Sequence, residues 1–277
     1  MRAVLVFSVV VAALMGAASA DMIDPEIVGG DEASPGQFPW QAGLRVNVLK
    51  DGVAKAAFCG ASLIAEDWVV TAAHCADPPM MQVVNFTVTL GAHEINNPDE
   101  GHVTIDVDMD KVFVNPKWGG ILSGSLAGDI ALMKLKTKAP LSDKIRIIRL
   151  PREEQKKDSF WRKTVTISGW GQEHTGDKAI SPVLRYTSNK IVSNFYCKFR
   201  FFFMIVGDGN ICMSGWGWKG ACHGDSGGPM VIYEDDGPTL VGVTSFGFGL
   251  ACNWGWPSAY TRVTTYLDWV QDTIKNN

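Results

Sequence analysis

SLIAEDWVVTAA, residues 62–73, holds two apolar runs split by the acidic pair Glu66–Asp67. Each run is too short for a helix, and the break between them is polar. The pattern is that of strands joined by a tight connection. Similar short runs recur along the chain: QAGLRVNVL (41–49), NFTVTLGAH (85–93), VTIDVDMDKVFV (103–114), DIALMKL (129–135), KTVTISGWG (163–171), GPMVIYEDD (228–236) and TLVGVTSFG (239–247). Turn-forming residues separate them, and long helices between strands are missing. This favours an all-β barrel or sandwich over a doubly wound α/β sheet.

One helix stands out. In TRVTTYLDWVQDTIKNN (261–277), Val263, Tyr266, Leu267, Val270 and Ile274 recur at three- and four-residue intervals, which predicts a C-terminal helix with one packed side. A further helical turn is expected at Ser193–Lys198, with Ser193 as its cap. The stretch PREEQKKDSFWRK (151–163) reads as a solvated crossing between two halves, giving 27–150 and 151–277 as units.

The chain has 277 residues and a net charge of -4 from 25 basic and 29 acidic side chains, without long runs of one sign. Nothing marks a nucleic-acid partner. Residues 1–20, MRAVLVFSVVVAALMGAASA, place Arg2 before an apolar run and end in small residues, the layout of a secretory signal cut after Ala20. No later apolar run is long enough for a membrane span. In an exported chain the six cysteines Cys59, Cys75, Cys197, Cys212, Cys222 and Cys252 suggest three disulfides, without choosing their pairing. They lack the short C-x-x-C spacing of zinc sites, so no metal is expected. Asn85 in NFT is a candidate glycosylation acceptor.

The chemistry centres on KGACHGDSGGPM (219–230), where Ser226 stands between Asp225 and two glycines. Gly224, Gly227 and Gly228 allow a tight turn that turns backbone N–H groups toward a bound group. Alone, it could be an ordinary glycine-rich turn. A nucleophilic serine needs a base, and TAAHC (71–75) offers His74 after an apolar strand, while GDIALMKL (128–135) places Asp129 at the head of a core run. A buried carboxylate can orient an imidazole and stabilise its charged form. The other histidines, His93, His102, His174 and His223, read as surface residues.

In the order IVGG (27–30), TAAHC, GDIALMKL, GDSGGP and C-terminal helix, the chain resembles the chymotrypsin-like serine endopeptidases over residues 27 to about 272. The resemblance implies two six-stranded antiparallel β-barrels with the active site between them. It implies Ser226 as nucleophile, His74 as base and acid, Asp129 as its orienting partner, Ser245 in contact with that aspartate, and the N–H groups of Gly224 and Ser226 as oxyanion hole. It pairs Cys59 with Cys75, Cys197 with Cys212 and Cys222 with Cys252, each worth about 2–4 kcal/mol by loop closure. Gly220 falls at the pocket floor, Gly247 and Ser258 on its walls, and Phe246 in the cleft. With no carboxylate at Gly220, large apolar residues are the expected substrates, elastase-like or broad selection being the alternative.

The family pattern also implies cleavage between Glu26 and Ile27, removal of leader 21–26, and pairing of the new ammonium with Asp225. Glu26 departs from the usual basic residue, so a trypsin-like activator is not expected. Some relatives bind calcium near LGAHEINNPDE (90–100), but Ala92 replaces the first acidic ligand. Catalysis needs no cofactor. Protein substrates, an activating protease and protein inhibitors are the expected partners of a secreted monomer, with digestion as its setting. A protease in another secretion, or an inactive relative that uses the cleft for binding, are the competing readings.

Overall fold

The computed structural model describes residues 29–123, 126–174, 176–177, 179–203, 205–247, 252 and 254–277, without the side chain of residue 122. The signal, the leader with Glu26, and Ile27 lie outside the described residues. The strands are β1 (Asp31–Glu32), β2 (Gln41–Lys50), β3 (Val53–Ala65), β4 (Trp68–Thr71), β5 (Gln82–Leu90), β6 (Val103–Val114), β7 (Ala131–Leu135), β8 (Thr164–Gly169), β9 (Arg185–Val192), β10 (Asn210–Met213), β11 (Pro229–Glu234), β12 (Gly237–Phe246) and β13 (Ser258–Arg262). The helices are α1 (Ala73–Ala76), α2 (Asn194–Arg200) and α3 (Val263–Asn276).

Strands β2, β3, β4, β7, β6 and β5 close an antiparallel barrel in that order. A second ring runs β8-β9-β10-β13-β12-β11 and returns to β8, again antiparallel, while β1 adds to the edge of β9. The fold is therefore two six-stranded barrels with few helices. Closure removes the unpaired edges that would otherwise invite further strands. Along β2, Leu44, Val46 and Val48 are buried while Arg45 is exposed, so the alternation in QAGLRVNVL sets the inward face. In the quoted stretch, Leu63, Val69 and Val70 enter the first core and Glu66–Asp67 make the turn between β3 and β4. Ile167, Ile211, Met213, Met230, Val241 and Tyr260 fill the second core.

Helix α3 buries Val263, Tyr266, Leu267 and Val270, with Ile274 partly covered against the same core. Ser193 caps α2 by accepting from Tyr196 N at 3.2 Å. The crossing at 151–163 is not solvated throughout. Its Phe160 is 1% exposed and plugs the second barrel, because an apolar ring on a charged segment gains by leaving water.

Candidate active site

The site is assembled where the two barrels touch. Strand β4 ends at Thr71 and gives way to the single turn α1, which carries His74. The disulfide Cys59–Cys75 ties that turn to β3. Asp129 precedes β7 and is 0% exposed. Its carboxylate accepts from His74 Nδ1 at 2.9 Å and from the His74 backbone N–H at 3.0 Å. Ser245, at the end of β12 in the second barrel, donates its hydroxyl to Asp129 Oδ2 at 2.5 Å. Thr261 Oγ1 donates to the Asp129 carbonyl at 2.6 Å. Burial opposes the Asp129 charge, but the His74 hydrogen bond and charge and the Ser245 hydroxyl outweigh it and hold its pKa below the ordinary carboxylate value. With Nδ1 donating to this carboxylate, the imidazole presents Nε2 as a proton acceptor.

The Ser226 turn is pressed against the first barrel. Gly60 N donates to Ser226 O at 2.7 Å, and Cys75 Sγ lies 3.7 Å from the same oxygen. A Cβ on Gly227 would stand 2.1 Å from Thr71 Oγ1, and one on Gly60 would stand 2.8 Å from Gly228 Cα. No side chain fits at either point. Glycine at 60 and 227 thus lets the serine turn press against β3 and the end of β4, the strand that leads into the His74 turn. No hydrogen bond joins Ser226 Oγ to His74 here; catalytic hydrogen bonds of this kind often tighten only when substrate is held.

The turn holds itself by Asp225 N to Cys222 O, Gly228 N to Asp225 O and Gly227 N to Thr244 O. Among the described residues, the N–H groups of Gly224 and Ser226 donate to no protein acceptor. Gly224 has φ +100°, and a Cβ there would stand 2.8 Å from Ile180 Cγ2, so no other residue keeps this peptide orientation. Two unspent donors beside a serine hydroxyl can receive a developing oxyanion.

Asp225 points away from that hydroxyl into a slot whose floor is glycine. A Cβ on Gly169 or Gly171 would clash with the Asp225 carboxylate at 2.2 Å or 2.4 Å. Gly171 N and Cys222 N donate to it at 2.8 and 2.9 Å. Burial dominates these two bonds and pushes its pKa up to about 6.

Beside Ser226 opens a cavity of about 230 Å³ lined by Ala221, Cys222, His223, Ser226, Thr244, Ser245, Phe246, Gly247 and Cys252. The disulfide Cys222–Cys252 forms one wall. A Cβ at Gly247 would meet nothing within 4 Å, so its side of the mouth is open. Gly220 and Ser258 lie behind the lining, where a Cβ on Gly220 would be 3.9 Å from Ser258 Oγ. The Ser258 hydroxyl bonds Tyr260 OH at 2.8 Å. Phe246 is backed by Phe201 at 5.3 Å between ring centroids. His223 belongs to the cavity wall, which its surface reading did not suggest. His93 is buried, not at the surface, because its carbonyl accepts from Trp170 Nε1 and its N–H is taken by Glu100. The third disulfide joins Cys197 to Cys212.

The sequence matches the family model described as Trypsin over residues 27–270. The chain belongs to the trypsin family. It is 39% identical over 245 residues to Brachyurin of Leptuca pugilator, covering 88% of this chain and 97% of that one. It is 34% identical to Collagenase of Hypoderma lineatum, over 91% and 88% of the two chains. Chymotrypsin-C of Mus musculus is 33% identical, over 91% and 90%. A solved structure of HL collagenase superposes with TM-score 0.76 at 33% identity, covering 89% of this chain and 97% of that one. Membership in the trypsin family makes the protein a chymotrypsin-like serine endopeptidase that acts on protein substrates.

Two donor sets could be read as metal ligands, and both are already engaged. Cys222, His223 and Cys252 come together, but both sulfurs are spent in the disulfide. In the 90–100 loop, Glu100 uses its carboxylate on the N–H groups of His93 and Glu94.

Proposed function

We propose that Ser226, His74 and Asp129 hydrolyse peptide bonds after large apolar residues through an acyl-enzyme. The observation that carries this is the free donor pair of Gly224 and Ser226 together with the half-buried His74 held by the buried Asp129. Ser226 Oγ attacks the scissile carbonyl carbon while His74 Nε2 takes its proton. The oxyanion accepts from the two N–H groups, and the collapsing intermediate expels the amine, which receives the proton from His74. Water then attacks the ester with His74 again as base, releasing the acid and restoring Ser226. Asp129 stays ionised throughout.

Selection rests on the cavity. Gly220 brings no carboxylate to attract Arg or Lys, Gly247 leaves the mouth open, and Phe246, Ala221 and the disulfide give apolar walls. Burying a large apolar side chain there contributes about 1.5–3 kcal/mol. Cleavage after Phe, Tyr, Leu, Met or Trp is expected. A mixed-sequence peptide library digested by protein that begins at Ile27, with Ser226→Ala as control, tests this. Dominant cleavage after Ala or Val would assign an elastase-like preference instead.

Activation follows from Asp225. Cleavage after Glu26 frees the Ile27 ammonium, which supplies the cation that the glycine-floored slot around Asp225 lacks, ordering the adjoining Gly224 donor. Residues 1–20 direct secretion, 21–26 form the leader, and the barrels divide near residue 150. Asn85 is exposed on β5, with its Oδ1 held by Asn47 at 2.6 Å, and is the glycan acceptor. Extracellular digestion is the setting, with protein inhibitors as cleft partners. The relative named Collagenase makes collagen one substrate to assay.

A further inference from the structure

A second cavity, of about 320 Å³, lies apart from Ser226 and is lined by Gly215, Trp216, Gly217, Trp218, Trp254 and Gly255. Its three indoles are 84%, 64% and 62% exposed in chain order. Large rings left in water at one spot mark an interaction surface. The backbone fixes them. Asn189 Nδ2 donates to Trp216 O at 2.8 Å, Trp216 N donates to Ser214 Oγ at 3.1 Å, and Trp218 N donates to Gly215 O at 3.1 Å. Trp218 has φ +64°, a costly conformation for a bulky residue, which persists only where its surroundings impose it.

The chain itself arrives at this cavity. A Cβ on Gly29 would stand 3.0 Å from Trp218 O, 3.1 Å from Lys219 Cγ and 3.2 Å from Gly217 O. The segment entering the fold thus passes along the cavity rim. We propose that, in the uncleaved chain, the leader Asp21–Glu26 occupies this tryptophan-walled cavity, and that processing uncovers it. The proposal rests on the cleavage after Glu26 given above. Extended chain spans about 14 Å from Gly29 back to Pro25 and about 24 Å back to Met22, enough for Met22, Ile23 and Pro25 to reach the indoles. A methionine sulfur or a proline ring against an aromatic face is favourable. Asp21, Asp24 and Glu26 give the leader a charge opposite to Lys219, which runs beside Gly29 and makes no ion pair with any described residue. Covalent attachment holds the leader at an effective concentration in the mM range, so weak contacts suffice. The docked leader shields its own cleavage site and keeps the precursor latent.

The test uses precursor that begins at Asp21 and carries Ser226→Ala, so that it cannot process itself. Acrylamide quenching of tryptophan emission is compared between this protein and the same protein with Met22→Ser and Ile23→Ser, changes confined to the leader. The leader variant should be quenched more strongly. A glutamyl endopeptidase should cut it after Glu26 about fivefold faster than the parent, and Trp216→Ala with Trp254→Ala should speed cutting as much. Combining leader and tryptophan changes should add little to either alone, since both remove one contact. Equal quenching, equal cutting rates or full additivity would overturn the docking. All readouts are taken on uncleaved, inactive chain. Peptidase assays of Ser226 protein with a verified Ile27 terminus test the processing itself, so either idea can fail alone.

Discussion

Asp129 and Asp225 are both buried, at 0% and 2% exposure, yet their acidities move in opposite directions. Around Asp129, an imidazole and a hydroxyl join the backbone in supporting the negative charge. Around Asp225, among the described residues, two N–H groups donate to the carboxylate over a floor of glycine, and burial wins. The comparison separates a carboxylate whose charge its partners support from one whose charge burial opposes. In the proposed mechanism the first orients His74 and the second receives the Ile27 ammonium.

Removing the Asp129 charge should have the largest effect. Asp129→Asn leaves the shape but lets His74 settle in the wrong tautomer, and kcat should fall by about 10⁴, the scale measured on the chymotrypsin-type triad itself. Steady-state assays at pH 8 read it, and a fall below tenfold would place the base elsewhere. Asp225→Asn in processed protein should cost about 10²–10³ in kcat, the scale for losing one oxyanion donor, because the Ile27 ammonium loses its partner and Gly224 is freed. Unchanged turnover would break the switch.

Titration sharpens the contrast. With its folded pKa near 6, Asp225 keeps a proton in the folded precursor that the unfolded chain has already lost between about pH 4 and 6. Precursor stability should therefore fall as pH rises through that window. The full cost, on the order of 3 kcal/mol, should stand above it. Processed protein, with the ammonium in place, should lack this loss. Asp129 acts in the other direction: its depressed pKa stabilises the fold above the ordinary carboxyl value, and that support disappears as pH falls through the folded value. Denaturant melts of Ser226→Ala protein before and after cleavage, from about pH 2 to 8, distinguish the two. Ser245→Ala, which removes a single hydrogen bond to Asp129, should have the smallest effect, about tenfold in kcat/KM.

The first barrel was legible in two ways: one face of 41–49 is partly wet, and the buried runs of 62–73 are split by Glu66–Asp67. Residues 41–49 and 62–73 alternate or break in ways that only strands explain, and both lie in the first barrel. Strands β9, β10 and β13 carry Thr, Ser, Asn and Arg among their apolar residues, so their membership becomes plain only through pairing across the second barrel. The two-residue β1 is exposed and has no periodicity at all. At the site, His74, Asp129 and Ser226 were marked by their motifs, whereas the place of His223 in the cavity wall was not. Wall residues are chosen by where the loop folds, and neighbours in sequence say little about that. Likewise Phe160 sits in a charged stretch and turns inward because the second barrel has a gap for its ring.

The most direct measurement is the intact mass of protein with a verified Ile27 terminus after exposure to a fluorophosphonate probe, followed by peptide mapping. One adduct per chain on Ser226, formed far more slowly in His74→Ala, is the expected result. An unlabelled Ser226 in folded, correctly processed protein would contradict the assignment of this site as the acylating centre.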